Sequence, residues 1–154
     1  MSLPKKMPYV RLGNSGLKVS KIILGCMSYG NPGWQAWLLP EEEGIKHIKA
    51  AYDFGINAFD TANVYSNGLS EIILGKVIKQ HNLPRDEIVV MTKVFFEVKR
   101  DVNETLSVYT GINSDAMGYV NQHDLSRKHI FDSVKHSLER LHLLTYTPSL
   151  RHPE

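Results

Sequence analysis

The chain has 154 residues, 42% of them hydrophobic and 22% charged, with a formal net charge of +2 at pH 7. That length suits one domain with its own core, and the small, scattered positive charge argues against nucleic-acid or membrane-surface partners. The single cysteine, Cys26, excludes an intramolecular disulfide, and no apolar run approaches a membrane span or a signal-peptide core, so the cytoplasm is the expected compartment.

In chain order, "VRLGNSGLKVS" alternates around a Gly-Asn-Ser-Gly turn and predicts a small hairpin. "KIILG" then reads as a short strand ending at Gly25. Residues 40–54 carry a helical pattern. Pro40 is expected at the first helical position, where a missing N–H costs little, and Glu41, Glu42 and Glu43 suit the positive end of the dipole. Ile45, Ile48 and Tyr52 form its apolar stripe, and Gly55 can close it in a left-handed conformation. "INAFD", residues 56–60, is the second strand. A helix begins near Leu69, with Ile72, Ile73 and Val77 on one side, and fades by Asn82-Leu83-Pro84.

"EIVVMTK" supplies the third strand, whose four successive apolar residues predict cover on both faces. Residues 94–125 show no sustained period and read as a long loop, a kind more often functional than idle. Ser126 can cap a final helix whose buried stripe is predicted to be Ile130, Phe131, Val134, Leu138 and Leu141. Short apolar strands alternating with amphipathic helices imply a parallel α/β sheet with right-handed crossovers. An open doubly wound sheet and the start of a (β/α)8 barrel both satisfy that order. "GCMSYGNPG" after the first strand fits neither GxGxxG nor the P-loop, which favours the barrel.

In such a barrel, catalytic residues sit at the carboxyl ends of strands. Strand two ends at Asp60, strand three runs to Lys93, and Tyr65 follows strand two closely enough to reach the same rim. Each residue alone has a simpler explanation: a turn aspartate, a packing tyrosine, a solvated strand-end lysine. Together they form a candidate proton-transfer unit. A lysine cation favours the phenolate form of a nearby tyrosine, the aspartate holds the lysine charged, and such a tyrosine can protonate a carbonyl oxygen during hydride transfer from a nicotinamide.

With "LGNSGLKVSKIILGCMSYG", "FDTANVYSNGLSE", "VVMTK" and "SLERL" in order, residues 10–143 resemble the N-terminal half of the aldo-keto reductases. The likeness is greatest to fungal aryl-alcohol dehydrogenase-like and versiconal hemiacetal acetate reductase-like members. The resemblance implies a (β/α)8 TIM barrel that moves a hydride between NADP(H) and an aldehyde or ketone, using an Asp-Tyr-Lys-His tetrad. It assigns Tyr65 as general acid, Lys93 as the modulator of its pKa and Asp60 as the anchor of Lys93. Gly25, Cys26 and Met27, with Asp60, would line the nicotinamide. Trp34 and Trp37 would either line an aromatic substrate pocket or pack in the core or rim.

The likeness ends at the tail. Residues 1–143 read as a partial reductase domain and residues 144–154 as a divergent C-terminal tail. Counting from "SLERL", His152 falls on the family's tetrad histidine, but Pro148 sits where a central strand residue should donate a hydrogen bond. A barrel of this type takes about 250 residues, so the expectation is a chain truncated after three to four βα units, with impaired turnover. The alternatives are a non-catalytic half-barrel that self-associates through its open edge, and an inactive truncated product. The remaining histidines show no metal spacing.

Overall fold

The computed structural model describes residues 7–143. Gly13 and Gly16, both at positive φ, turn the chain between β1 (Tyr9–Arg11) and β2 (Lys18–Ser20), which pair antiparallel with Val10 opposite Val19. The predicted hairpin is present. Of "KIILG" only β3 (Leu24–Gly25) joins the main sheet. Ile22 and Ile23 stay exposed because the chain before them is still tied to the hairpin: Lys21 N–H donates to Pro8 and the Ser20 hydroxyl to the Ile22 carbonyl.

The parallel sheet has the order β3, β4 (Ala58–Asp60), β5 (Val89–Met91). Leu24 pairs with Phe59, Gly25 with Asp60, and Asp60 with Met91. Helix α1 (Glu41–Asp53) connects β3 to β4, and α2 (Leu69–Gln80) connects β4 to β5. Pro40 is the N-cap of α1 rather than its first helical residue, because its ψ of 166° is extended while its carbonyl already accepts from Gly44 N–H. Gly55, at φ +96°, closes the helix as the sequence predicts.

Phe59, Ile48, Ile73, Leu74 and Val77 are fully buried between sheet and helices, with Cys26, Tyr29 and Leu141 in the same cluster. Burying one such side chain contributes roughly 1.5–3 kcal/mol. The expected two-sided cover of the third strand is not found: Val89, Val90 and Met91 are only half-buried, since among the described residues β4 alone pairs with β5. No helix among the described residues is long and apolar enough to cross a membrane.

Residues 94–125 form the long loop foreseen, interrupted by the one-turn α3 (Ser107–Thr110). Ser126 caps α4 (Arg127–Arg140) by accepting from His129 N–H at 3.1 Å. The predicted stripe of this helix is corrected. Its buried row is His129, Ser133 and Ser137, continued by Leu141, whereas Phe131 is 63% and Val134 49% exposed. Ile130 and Leu138 are intermediate. The rotation has local causes. His129 Nδ1 is 2.9 Å from the Asp124 carbonyl, and a Cβ on Gly75 of α2 would lie 2.6 Å from the Arg140 carbonyl, so the two helices meet backbone to backbone.

Candidate active site

Side chains alternate along a strand, and parallel partners in register point the same way. Gly25, Asp60 and Met91 therefore share one face, and Lys93, two residues past Met91, returns to it. There Lys93 Nζ donates to Asp60 Oδ2 at 2.7 Å and to the Thr61 carbonyl at 2.7 Å. It also lies 4.9 Å from the centroid of the Tyr65 ring. Burial pulls the ammonium down, but Asp60 and Tyr65 outweigh it, so Lys93 titrates above an ordinary lysine. The structure thus brings together Asp60, Tyr65 and Lys93. His152 lies outside the described residues.

Tyr65 is held by an unusual backbone. It opens a 3-10 turn, Tyr65–Gly68, in which Ser66 and Asn67 both have φ +49° and Gly68 has φ +94°. Consecutive left-handed residues are costly unless their surroundings fix them. Ser66 Oγ accepts from Asn31 N–H at 2.9 Å, and the Asn67 amide donates to the carbonyls of Asp101 at 3.1 Å and Glu104 at 2.8 Å. A Cβ at Gly30 would lie 2.3 Å from Ser66 Cβ, so glycine there lets the first loop close onto this turn.

A cavity of about 220 Å³ opens beside the Tyr65–Lys93 pair, lined also by Ala62, Asn63, Val64, Val94, Phe95 and Phe96. The Phe95 and Phe96 rings meet edge to face, with centroids 5.0 Å apart. Sequence reasoning missed this aromatic wall, although two phenylalanines directly after the strand-end lysine were available as a signal. The tryptophans lie elsewhere. Trp34 is buried against Leu38 and Leu106, joining the first loop to the long one, and Trp37 is 51% exposed.

The residues implicated in cofactor binding divide by accessibility. Cys26 is wholly buried, donates its N–H to the Asp60 carbonyl at 2.7 Å, and has its thiol pushed up to about 12, chiefly by burial and then by Asp60. Its thiol packs in the core cluster beside Tyr29 and Phe59, so at this position the backbone is what the rim presents. A Cβ on Gly25 would meet nothing within 4 Å, and Met27 is exposed. Open space thus borders the Asp60–Lys93 pair on the face that Gly25 shares, which fits a flat ring lying against the rim. Among the described residues, no group of three or more His, Cys, Asp and Glu side chains could hold a metal ion.

A lysine-aspartate pair and a tyrosine meet at the carboxyl rim of the parallel strands, the rim at which (β/α)8 barrels carry their functional residues. The chain belongs to the aldo/keto reductase family, whose family model matches residues 21–147. It is 50% identical over 135 residues to versiconal hemiacetal acetate reductase of Aspergillus parasiticus, a match covering 88% of this chain and 39% of that protein. It is 48% identical over 138 residues to an aldo-keto reductase of Alternaria alternata, covering 86% of this chain and 38% of the relative. Among solved structures, a Bacillus halodurans aldo-keto reductase in its holo form superposes with a TM-score of 0.66 at 30% identity, over 88% of this chain and 37% of that one. The chain therefore spans less than two-fifths of the length of these relatives.

Proposed function

We propose that this chain carries the proton-transfer part of a cytoplasmic, NADP(H)-dependent carbonyl reductase. Its substrates would be small aldehydes or ketones of the aryl-alcohol or polyketide-like class. The observation that carries the reading is Lys93 Nζ held 2.7 Å from Asp60 and 4.9 Å from the Tyr65 ring centroid. Gly25, Met27 and the backbone at Cys26 would support the nicotinamide, which when bound supplies the hydride for the carbonyl carbon. The Tyr65 hydroxyl gives its proton to the carbonyl oxygen. Lys93, kept charged by Asp60, offsets the negative charge left on the Tyr65 oxygen, which solvent then reprotonates. Phe95 and Phe96 form the apolar wall along which an aromatic substrate lies. By sequence interval alone, His152 would be the fourth member of the tetrad. The choice of NADP(H) over NAD(H) follows the family resemblance.

The test is NADPH-linked reduction of an aromatic aldehyde by the purified chain, with NADPH binding followed in parallel by quenching of its fluorescence. Turnover by this partial barrel is expected to be impaired; whatever reduction it supports should be abolished by Tyr65→Phe, with quenching left intact. Reduction by Tyr65→Phe at the wild-type rate would sink the reading.

A second reading has its own observation: β5 has a free edge among the described residues, and Phe131 and Val134 stand exposed on α4. A non-catalytic half-barrel would pair through that side. Concentration-dependent association in light scattering, without NADPH quenching, favours it over the enzyme.

A further inference from the structure

The first turn of α2 touches the carboxyl end of every strand in the parallel sheet. Ser70 Oγ donates to the Cys26 carbonyl at 2.7 Å, just past β3. Its remaining lone pairs face Thr61 Oγ1 at 2.8 Å, just past β4, so the threonine is the donor of that bond. Glu71 takes the third strand: Thr92 Oγ1, just past β5, donates to Glu71 Oε1 at 2.6 Å. The other oxygen, Oε2, accepts from Arg140 Nε at 2.6 Å. Ser70, Glu71, Thr61 and Cys26 are all fully buried. The three strand ends so joined are those that carry Met27, Asp60 and Lys93.

A buried carboxylate-guanidinium pair adds little net stability compared with apolar side chains of the same volume. What it does supply is direction. One carboxylate has two oxygens, and here each is aimed at a different element. Room for Arg140 depends on two glycines of the α2 region: a Cβ on Gly68 would lie 2.9 Å from Arg140 Cδ, and one on Gly75 would lie 2.6 Å from the Arg140 carbonyl.

We propose that Ser70 and Glu71 are positioning residues that align the three strand ends, and that Glu71, locked by Arg140, sets the direction from which Lys93 reaches Asp60 and Tyr65. The proposal rests on the proton-transfer reading of the same site. Thr92 and Lys93 point to opposite faces of the strand end. Fixing the Thr92 hydroxyl against Glu71 therefore fixes the backbone from which the Lys93 side chain departs. Thr92 is itself exposed, so replacing it tests the alignment without altering the core.

The readout is the ammonium resonance of Lys93 in the full chain labelled with 15N-lysine, assigned by its disappearance in Lys93→Arg. It needs neither cofactor nor substrate, so it can fail or succeed independently of any reductase activity. In the wild type, bonds to Asp60 and the Thr61 carbonyl should protect the ammonium from exchange with water. Thr92→Val should raise that exchange several-fold, and Ser70→Ala should raise it in the same direction. Thr92→Ser, which keeps the hydroxyl, should restore it. An unprotected wild-type resonance would overturn the proposal, as would unchanged exchange in folded Thr92→Val. So would a Thr92→Val chain that fails to fold where Thr92→Ser folds, because the hydroxyl would then serve the fold and not the lysine.

Discussion

Helices α2 and α4 lie against each other, yet they bury opposite kinds of side chain. α2 puts Ile73, Leu74, Val77 and Ile78 into the core, with Ser70 and Glu71 as its polar exceptions at the strand ends. α4 turns His129, Ser133 and Ser137 inward and leaves Phe131 and Val134 to solvent. The difference teaches what holds each helix. α2 is placed by apolar area over the sheet, whereas α4 is placed by particular bonds: its Ser126 cap, the His129–Asp124 contact, and Arg140 on Glu71.

The sharpest way to break that distinction is Arg140→Met. It leaves Glu71 buried and uncompensated, and losing one partner of such a pair costs about 3–5 kcal/mol. A urea midpoint should fall accordingly, while Lys128→Met, which removes an exposed i,i+4 pair with Asp132 on the same helix, should leave it in place. A midpoint insensitive to Arg140→Met would mean that α4 is not held by its charged end.

Apolar truncations probe the other side of the comparison. Leu74→Ala in α2 should cost about 2–5 kcal/mol as a core deletion, and Phe131→Ala in α4 only about 0.5 kcal/mol or less. Equal losses would show that Phe131 is covered in solution, as the half-barrel pairing requires. The contact between the helices is tested by Gly75→Ala, whose new Cβ would sit 2.6 Å from a backbone oxygen. Overpacking of this kind costs about 1–3 kcal/mol. Gly25→Ala, with nothing within 4 Å, should spare the thermal midpoint and weaken NADPH quenching instead.

The same contrast explains what the sequence disclosed. Asp60, Tyr65 and Lys93 were legible because strand ends can be read from short apolar runs, and parallel register then brings those ends together. The phase of α2 was legible at Ile73 and Val77, because its apolar stripe does the packing, although the stripe is centred on Leu74 and Ile78 and leaves Ile72 only half-buried. The phase of α4 was not, because periodicity identifies an apolar face but not whether a neighbour covers it. Ile130, Phe131, Val134 and Leu138 form a fair stripe, and hydrogen bonds to residues 71 and 124 turned it away from the core. Glu71 was opaque for a related reason. An acid in the first turn of a helix reads as a dipole partner, and only the fold brings Thr92 and Arg140 to it.

The smallest expected effect lies where the long loop delivers the chain to α4. His123 sits between two carboxylates, with Nδ1 2.8 Å from Asp124 Oδ2 and Nε2 2.9 Å from Asp115 Oδ1. Two acceptors require both ring nitrogens to carry protons, so this clasp is built on the imidazolium. The bond to Asp115 is the largest influence on the ring and that to Asp124 adds to it; together they outweigh the burial that opposes them and raise His123 above an ordinary histidine. The stabilisation is thus complete below the unfolded value of about 6.5 and disappears as pH rises through the higher folded value. At the buried end of the loop Glu97 behaves oppositely. Burial pushes its carboxyl up, but bonds from Ser107 and Lys99 prevail and bring it down from 4.5 to about 2, so its contribution is complete above the unfolded value and is lost progressively as pH falls from there through the folded one. Limited proteolysis of residues 112–124 should therefore accelerate between about pH 6 and about pH 8, but not on mild acidification to about pH 5, which lies above the ordinary carboxylate range. His123→Asn should flatten the alkaline rise. The Asp124 carbonyl also meets His129 at the start of α4, so hydrogen exchange in the first turn of α4 should increase over the same alkaline interval. Exchange in α2 should not change, and equal loosening of both helices would refute the claim that the two are held by different forces.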